Sequence, residues 1–207
     1  MMTKTSIGAI VMAWLVMSAP VFGQEDAPQS RAALTSRDRV RWVVDGSVSP
    51  GALGVAALSA SWQTAVASGD EWGGGWSGFE KRYAARVAQT TVSNSIEAGL
   101  GSLWGEDPRY RPSEQRRDVW RRTGHALKYV VLSERRDGRL RPAWSRFIAV
   151  PVTSVAENAW LPPGERTAKA TAIRAGTGLI GRVASNLYRE FRPETKRLIA
   201  RAQSIAP

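Results

Sequence analysis

The sequence predicts an all-α protein, a mostly helical bundle with one small β-hairpin near residues 130–143. Long segments with apolar and small residues at helical spacing are separated by Pro and Gly, which indicates several helices. The Asp-Gly pair Asp137-Gly138 lies between two short segments and is typical of a hairpin turn. The chain has no cysteine, so packing rather than disulfides must hold the fold together.

The N-terminal 23 residues have the pattern of a secretory signal peptide. Lys4 precedes an apolar run of eleven residues, 7–17, and Val21 and Gly23 occupy the −3 and −1 positions of a cleavage site before Gln24. The run is short for a bilayer span. We therefore expect an exported protein, in the periplasm or the outer envelope, with an uncleaved N-terminal anchor as the alternative.

The remaining chain divides into a linker and one domain. Residues 24–34 are polar and are predicted to be disordered, and residues 35–207 are predicted to form a single helical domain. Ser36 and Ser113 are predicted to cap the first and fourth helices, and Pro193 is predicted to break the last. The predicted helices are 37–44, 50–67, 79–104, 115–129, 144–161 and 167–191, and the hairpin pairs 130–135 with 139–143.

Helical spacing also predicts which side chains face inward. In the fourth helix the predicted inner positions are Val119, Trp120, Leu127 and Val130. Rows of small residues at four-residue spacing predict close contact between the third and sixth helices. These rows are Thr91, Ser95, Gly99 and Thr177, Gly181, Ser185. Residues 46–69 contain no charge, but the charges of the later helices favour a soluble bundle.

The charge of the chain is concentrated in one region. The chain has 29 basic and 18 acidic residues, and residues 109–146 alone hold twelve basic and four acidic side chains. Arginine suits phosphate and carboxylate, and export argues against nucleic acid, so anionic lipid headgroups or an acidic envelope polymer are the expected partners. The alternative is a solvated face. The predicted anion-binding residues, which would make peripheral, salt-sensitive membrane contact, are Arg109, Arg111, Arg116, Arg117, Arg121 and Arg122.

Three asparagines are predicted within helices, where Asn is unfavourable because its side chain competes with the backbone for hydrogen bonds. Asn94, Asn158 and Asn186 could meet in a polar cluster between helices, with glutamates close by in sequence. The alternative is three unrelated surface or capping residues.

The glycine-rich segment around residues 72–79 carries three aromatic side chains, Trp72, Trp76 and Phe79. Aromatic rings on a loop could stack on sugars or lie at a lipid–water interface. The favoured interpretation is that they fold back over the end of the bundle, with the glycines permitting the turns.

No catalytic motif is evident. His125 is the only histidine, so a multi-histidine metal site is excluded, and it is at most a weak candidate for a general base. Without cysteine there is no thiolate ligand, and the acidic pairs do not supply the ligands of a calcium site. We expect no metal and no cofactor.

Three segments carry a resemblance to known proteins. Residues 72–83 read W-G-G-G-W-S-G-F-E-K-R-Y, residues 106–110 read E-D-P-R-Y, and residues 185–191 read S-N-L-Y-R-E-F. In this order they resemble a group of uncharacterised secreted bacterial proteins with a WGxGWxGFxKRY segment followed by DPRY. The resemblance spans most of the chain after residue 23. It implies one exported, mostly helical domain and no particular activity.

Together these observations favour a non-enzymatic exported envelope protein that associates with an anionic membrane surface or cell-wall polymer. The alternative is a hydrolase or transferase acting on an envelope lipid or glycan. An enzyme should bring His125 and carboxylates together in a concave pocket, whereas a binding protein should present an arginine-rich face.

We predict that exported protein begins at or near Gln24, because small side chains precede this position and the apolar run ends just before it. N-terminal sequencing of the exported chain measures this directly. Recovery of exported material that still begins at Met1 would contradict the prediction.

Overall fold

The computed structural model describes residues 34–66, 71–114 and 118–205, with side chains placed as far as residue 195. The predicted signal peptide 1–23 lies outside the described residues, as does the linker apart from Leu34.

The described chain is mostly helical with one small sheet, which confirms the predicted fold class. Over the described residues there are six α-helices, three short strands and two turns of 3-10 helix at Glu157–Ala159 and Pro163–Glu165. The helices are α1 Ser36–Val48, α2 Pro50–Val66, α3 Gly75–Trp104, α4 Val119–Val131, α5 Trp144–Ala156 and α6 Ala168–Ile205. The strands are β1 Glu106–Asp107, β2 Leu132–Arg135 and β3 Leu140–Pro142.

The helices begin at caps that differ from the predicted ones. Thr35, not Ser36, caps α1: its hydroxyl accepts from the Asp38 N–H at 3.2 Å, and Asp38 accepts from the Thr35 N–H at 3.0 Å. Asp118 caps α4 by accepting from the Arg121 N–H at 3.1 Å. Ser113 is not the cap, because α4 begins at Val119; its N–H donates at 2.9 Å to Glu190 in α6.

Two helices organise the bundle. The long helix α3 packs against α1, α2 and α5, and α6 packs against α4 and α5. The predicted close contact through the Gly99 row is wrong, because Ser95 and Gly99 are exposed and a Cβ atom at Gly99 would meet no atom within 4 Å. The inward face of α3 instead carries Asn94, Glu97 and Gly101, all buried.

The sheet contains the predicted hairpin and one further strand. Strands β2 and β3 are antiparallel with Ser133 opposite Arg141, and Gly138 takes a left-handed φ of 74° in the turn. Strand β1 pairs antiparallel with β2, placing Glu106 opposite Arg135. Two residues are too few to carry an alternating pattern, so β1 has no signal in the sequence.

The predicted helix break at Pro193 is wrong, because α6 continues through this residue to Ile205. Arg122 of α4 forms hydrogen bonds with residues of α6 on both sides of the proline. Its Nε donates to Glu190 at 2.9 Å and its Nη1 to Glu194 at 2.6 Å. These contacts hold the turn in helical geometry although proline lacks the N–H that would extend the hydrogen-bond ladder.

A matched pair of glycine substitutions in α3 tests this packing. We predict that Gly99→Leu raises the free energy of unfolding by up to about 1 kcal/mol, since leucine favours helix over glycine and space is open there. Gly101→Leu is expected to lower it by about 1–3 kcal/mol through overpacking. A Cβ at Gly101 already approaches the Glu106 carbonyl oxygen at 3.3 Å and Arg39 Nη1 at 3.2 Å.

Denaturant or thermal unfolding measures both variants. Destabilisation by Gly99→Leu equal to that of Gly101→Leu would show that the two faces of α3 are assigned wrongly.

Candidate functional site

Several charged side chains are buried in the interior of the bundle. The largest fully buried side chains include Glu97, Glu106 and Glu190, each at most 2% exposed. The buried apolar residues are mostly alanines, whose small side chains allow close helix packing. Buried ions need partners and hydrogen bonds to offset the loss of hydration. The buried arginines are Arg39, Arg82, Arg122 and Arg146.

Glu97 connects three helices. Its Oε1 pairs with Arg146 of α5, whose Nε lies at 3.0 Å, and its Oε2 pairs with Arg182 of α6. Arg146 also donates to the backbone oxygens of Tyr129 and Val130 at 2.7 and 3.0 Å. Burial alone would raise the pKa of Glu97, but the two guanidinium groups and their hydrogen bonds together lower it.

Glu190 forms a second buried centre. Arg122 and the Tyr110 hydroxyl both donate to its carboxylate. Burial, and then the bond to Glu190, raise the pKa of Tyr110 above its usual value, so the phenol stays protonated. The Arg122 guanidinium also lies 4.3 Å from the centre of the Phe191 ring, a cation–π contact.

Glu106, which is far from α5 in the sequence, caps the N-terminus of this helix. Ala143, which precedes the helix, has no side chain to bond the free N–H groups. The Glu106 carboxylate takes that role, accepting from the N–H groups of Trp144 at 3.2 Å and Ser145 at 3.1 Å and from the Ser145 hydroxyl at 2.6 Å.

A cavity of about 190 Å³ lies between α2, α3, α5 and α6. Arginines, glutamates and neutral polar groups line it together with Trp72 and Trp160. Arg174 pairs with Glu157 at 3.1 Å and donates to Asn158 Oδ1 at 2.6 Å. The guanidinium groups that line the cavity belong to Arg82, Arg86, Arg174 and Arg182, and the carboxylates that line it belong to Glu157 and Glu165.

Most of the described anion-binding candidates are already held by carboxylates. Arg109 and Arg111 pair with Asp107 at 2.8 and 3.1 Å, and Arg122 is buried against Glu190. Arg121 is exposed beside Asp118, with Nε 3.3 Å from the carboxylate. Arg116 and Arg117 lie outside the described residues. The structure therefore gathers no open arginine face from the described members of this set.

The three asparagines serve different contacts. Asn94 donates to Ser47 at 3.2 Å and lines the cavity. Asn158 accepts from Arg174 beside the same cavity. Asn186 donates at 3.1 Å to the Ala126 carbonyl at the contact of α6 with α4. The polar cavity exists, but it does not gather the three asparagines into one hydrogen-bonded cluster.

The aromatic segment is divided between two environments. Trp72 lines the cavity, in line with the predicted cover. Trp76 and Phe79 are in the first turns of α3, not in a loop, and stack in series with Tyr83 at centroid distances of 5.1 and 5.8 Å. Trp76 is 72% exposed, so it covers nothing in the described bundle.

His125 lies in a shallow groove that Glu114 and Glu134 also line. Its Nε2 is 2.9 Å from the Arg111 carbonyl oxygen, to which it donates, and its ring packs 4.8 Å from Tyr129. Glu134 pairs with Arg111 at 3.4 Å. Both candidate groups are thus engaged in structural contacts. Within the described residues, no group of three or more side chains forms a metal-binding cluster.

Sequence reasoning missed the cavity arginines Arg82, Arg86 and Arg174. Arg82 and Arg86 are one helical turn apart, which places them on the same face of α3. That spacing was the available signal, but a pair of charges on a helix usually indicates a solvent-facing side. Burial lowers the pKa of Arg86 to about 10, although Glu157 opposes the shift.

The outer surface of the bundle carries many exposed large apolar side chains. Trp120 is 84% exposed, and the predicted inner positions Val119, Trp120 and Leu127 all lie outside, whereas Val130 is buried as predicted. The helical stretch Ser36–Val66 is long and apolar enough to cross a membrane by length and composition, and 33% of its most apolar window is buried. The exposed apolar set on α2, α5 and α6 comprises Leu58, Trp62, Val66, Trp144, Ile148, Val152, Val155, Ile173 and Ile180.

Comparisons with protein-family models, curated proteins and solved structures found no match for this chain.

Substitution of Glu97 tests the charged interior. We predict that Glu97→Gln lowers the free energy of unfolding by about 3–5 kcal/mol, because Arg146 and Arg182 remain partly or fully buried without a countercharge. Asp45→Asn, which breaks an exposed pair with Arg41, is the control and should cost at most about 0.5 kcal/mol.

The pH dependence follows from the lowered pKa of Glu97. The contribution of this carboxylate to the free energy of unfolding is complete at pH values above its ordinary pKa. It is lost as the pH falls from the ordinary pKa through the lower pKa of the folded state. Unfolding measured against pH should show a smaller acid-side loss in Glu97→Gln than in wild type. Equal costs for Glu97→Gln and Asp45→Asn would contradict the role of this cluster.

Proposed function

We propose that the protein is a non-enzymatic, exported, membrane-associated protein whose apolar outer surface contacts lipid hydrocarbon. One observation carries the proposal: the largest side chains that are almost completely buried, at most 2% exposed, are carboxylates, while many large apolar side chains lie outside. In water this arrangement forfeits about 1.5–3 kcal/mol for each Val, Leu or Ile left exposed. Against hydrocarbon the same arrangement is favourable.

The charged interior supports the same proposal. Ionisable side chains in membrane-embedded proteins face the bundle interior and pair with one another. The pairs of Glu97, Glu157 and Glu190 with arginines of neighbouring helices have this form. The charges of α3 and α6 that suggested a soluble bundle therefore do not count against lipid contact, because Glu97, Arg174 and Arg182 point between the helices rather than outward.

Helix α5 shows the contact surface most clearly. Trp144, Ile148, Val152 and Val155 recur at helical spacing along its exposed side. The one charged residue of α5, Arg146, is buried against Glu97. A soluble bundle usually places charged residues on such a side.

Exposed basic residues supply a second, weaker contact. Arg136, Arg139 and Arg141 are exposed around the β2–β3 turn, and Arg121 is exposed on α4. Basic side chains near a bilayer surface are attracted to anionic headgroups. We propose that they orient the protein and that the apolar surface holds it.

Extraction of membranes from expressing cells tests the mode of contact. We expect wild-type protein to stay with the membrane in half-molar salt and in alkaline carbonate and to be released by detergent. The triple variant Trp144→Gln, Ile148→Gln, Val155→Gln should shift to the carbonate-soluble fraction, since its polar side chains are unfavourable in hydrocarbon.

The matched control is Arg136→Gln, Arg139→Gln, Arg141→Gln, which should keep carbonate resistance. Release of wild type by salt alone, or loss of membrane binding in the arginine variant only, would overturn apolar contact and favour charge-driven peripheral binding. Wild type in the soluble fraction without any wash would overturn membrane association itself.

A further inference from the structure

We infer that the interhelical cavity binds a small phosphate ester whose alcohol portion carries a hydroxyl or ammonium group. The cavity wall, its unpartnered buried atoms and its excess of guanidinium groups point to this ligand class. Such binding does not require that the outer surface contact lipid.

The cavity wall favours an anion. Its described lining includes four arginines and two glutamates, a surplus of two positive charges. Guanidinium groups bind phosphate oxygens in a planar, bidentate geometry that lysine does not offer. Arg82 and Arg86 lie on one face of α3, and Arg174 reaches the same space from α6.

Three buried polar atoms on this wall have no hydrogen-bond partner within the described part of the chain. They are Thr153 Oγ1, Glu157 Oε1 and Trp160 Nε1. Thr153 and Glu157 are each 3% exposed, so solvent at the outer surface does not satisfy them. An unpaired buried polar atom costs about 1–3 kcal/mol, and a bound polar ligand would remove that cost.

The mixture of groups narrows the ligand class. The hydroxyl of Thr153 and the indole N–H of Trp160 can donate to phosphate oxygens, together with the arginines. The free oxygen of Glu157 requires a donor, which the dianionic phosphoryl group of an ester lacks but a hydroxyl or ammonium group elsewhere in the ligand supplies. Burial raises the pKa of Glu157, although Arg174, a hydrogen bond with Gln89 and Arg86 partly oppose the shift, and a cationic or hydroxylic partner at the free oxygen would further stabilise its charge.

Such a ligand could be free or could be the headgroup of a phospholipid. A cavity of about 190 Å³ holds a small headgroup but no acyl chain. Both sources share the phosphate ester with a nearby donor group, and the experiment below separates them.

Binding is measured on the detergent-solubilised full chain by tryptophan fluorescence, because Trp72 and Trp160 line the cavity, and by the shift in melting temperature. The probes are glycerol 3-phosphate, phosphoethanolamine, and mixed micelles containing phosphatidylglycerol or phosphatidylethanolamine. Glycerol and micelles without phospholipid are the negative controls. We expect saturable binding and a higher melting temperature with at least one phosphate ester.

A cavity-filling variant and its neighbour provide the matched test. Gly178 lines the cavity, and a Cβ there would lie 3.4 Å from Val150 Cγ1, so Gly178→Leu places a side chain in the ligand space. Gly176 on the same helix is exposed, and a Cβ there would have no atom within 4 Å, so Gly176→Leu is the matched control. Gly178→Leu should weaken binding at least tenfold, while Gly176→Leu should leave it unchanged.

Arg86→Gln provides a second variant if Gly178→Leu does not fold. It should also weaken binding at least tenfold, while Arg37→Gln, exposed in the first turn of α1 and away from the cavity, should not. Binding of micellar phospholipid alone supports a lipid source, and binding of glycerol 3-phosphate or phosphoethanolamine supports a free ester.

Three results would overturn the inference. They are the absence of saturable binding by any phosphate ester, equal binding of glycerol, and binding that survives both Gly178→Leu and Arg86→Gln. None of these results bears on carbonate extraction, so the cavity ligand and the membrane contact fail separately.

Discussion

The ion pairs of Glu97 with Arg146 and Arg182 are the contacts on which the rest of the fold depends. They join α3, α5 and α6, and Arg146 extends the network to the end of α4 through two backbone oxygens. Buried ions contribute little net stability, but the loss of one partner is costly. The pairs therefore fix which helices meet and in what register, a specificity that small apolar side chains alone do not supply.

The alanine-rich contacts are the other half of this design. Ala60, Ala126, Ala143 and Ala149 are completely buried, so the helix backbones approach closely and leave little room for large apolar groups inside. Many of the large apolar side chains are consequently on the outside. Close packing, paired internal charges and an apolar exterior are mutually consistent in a lipid environment, where association depends on packing and polar contacts rather than on the hydrophobic effect.

The cavity follows from the same arrangement. Between α2, α3, α5 and α6, the inward-facing arginines line a polar cavity. Arg174 is anchored by Glu157 and Asn158, which holds its guanidinium group at the wall. A charged cavity inside a bundle with exposed apolar side chains is suited to binding, and the described groove at His125 offers no comparably open pair of reactive groups.

The sequence by itself determined the helical class, the hairpin at Asp137-Gly138 and the positions of most helices, because these depend on local spacing, glycine and proline. It did not determine the continuity of α6 at Pro193, which depends on Arg122 from another helix. Nor did it determine the orientation of Trp120 or of Arg86. Periodicity shows that a helix has two faces. Only the tertiary contacts decided which charged side chains lie inside, because these buried charges pair with residues on distant segments of the chain.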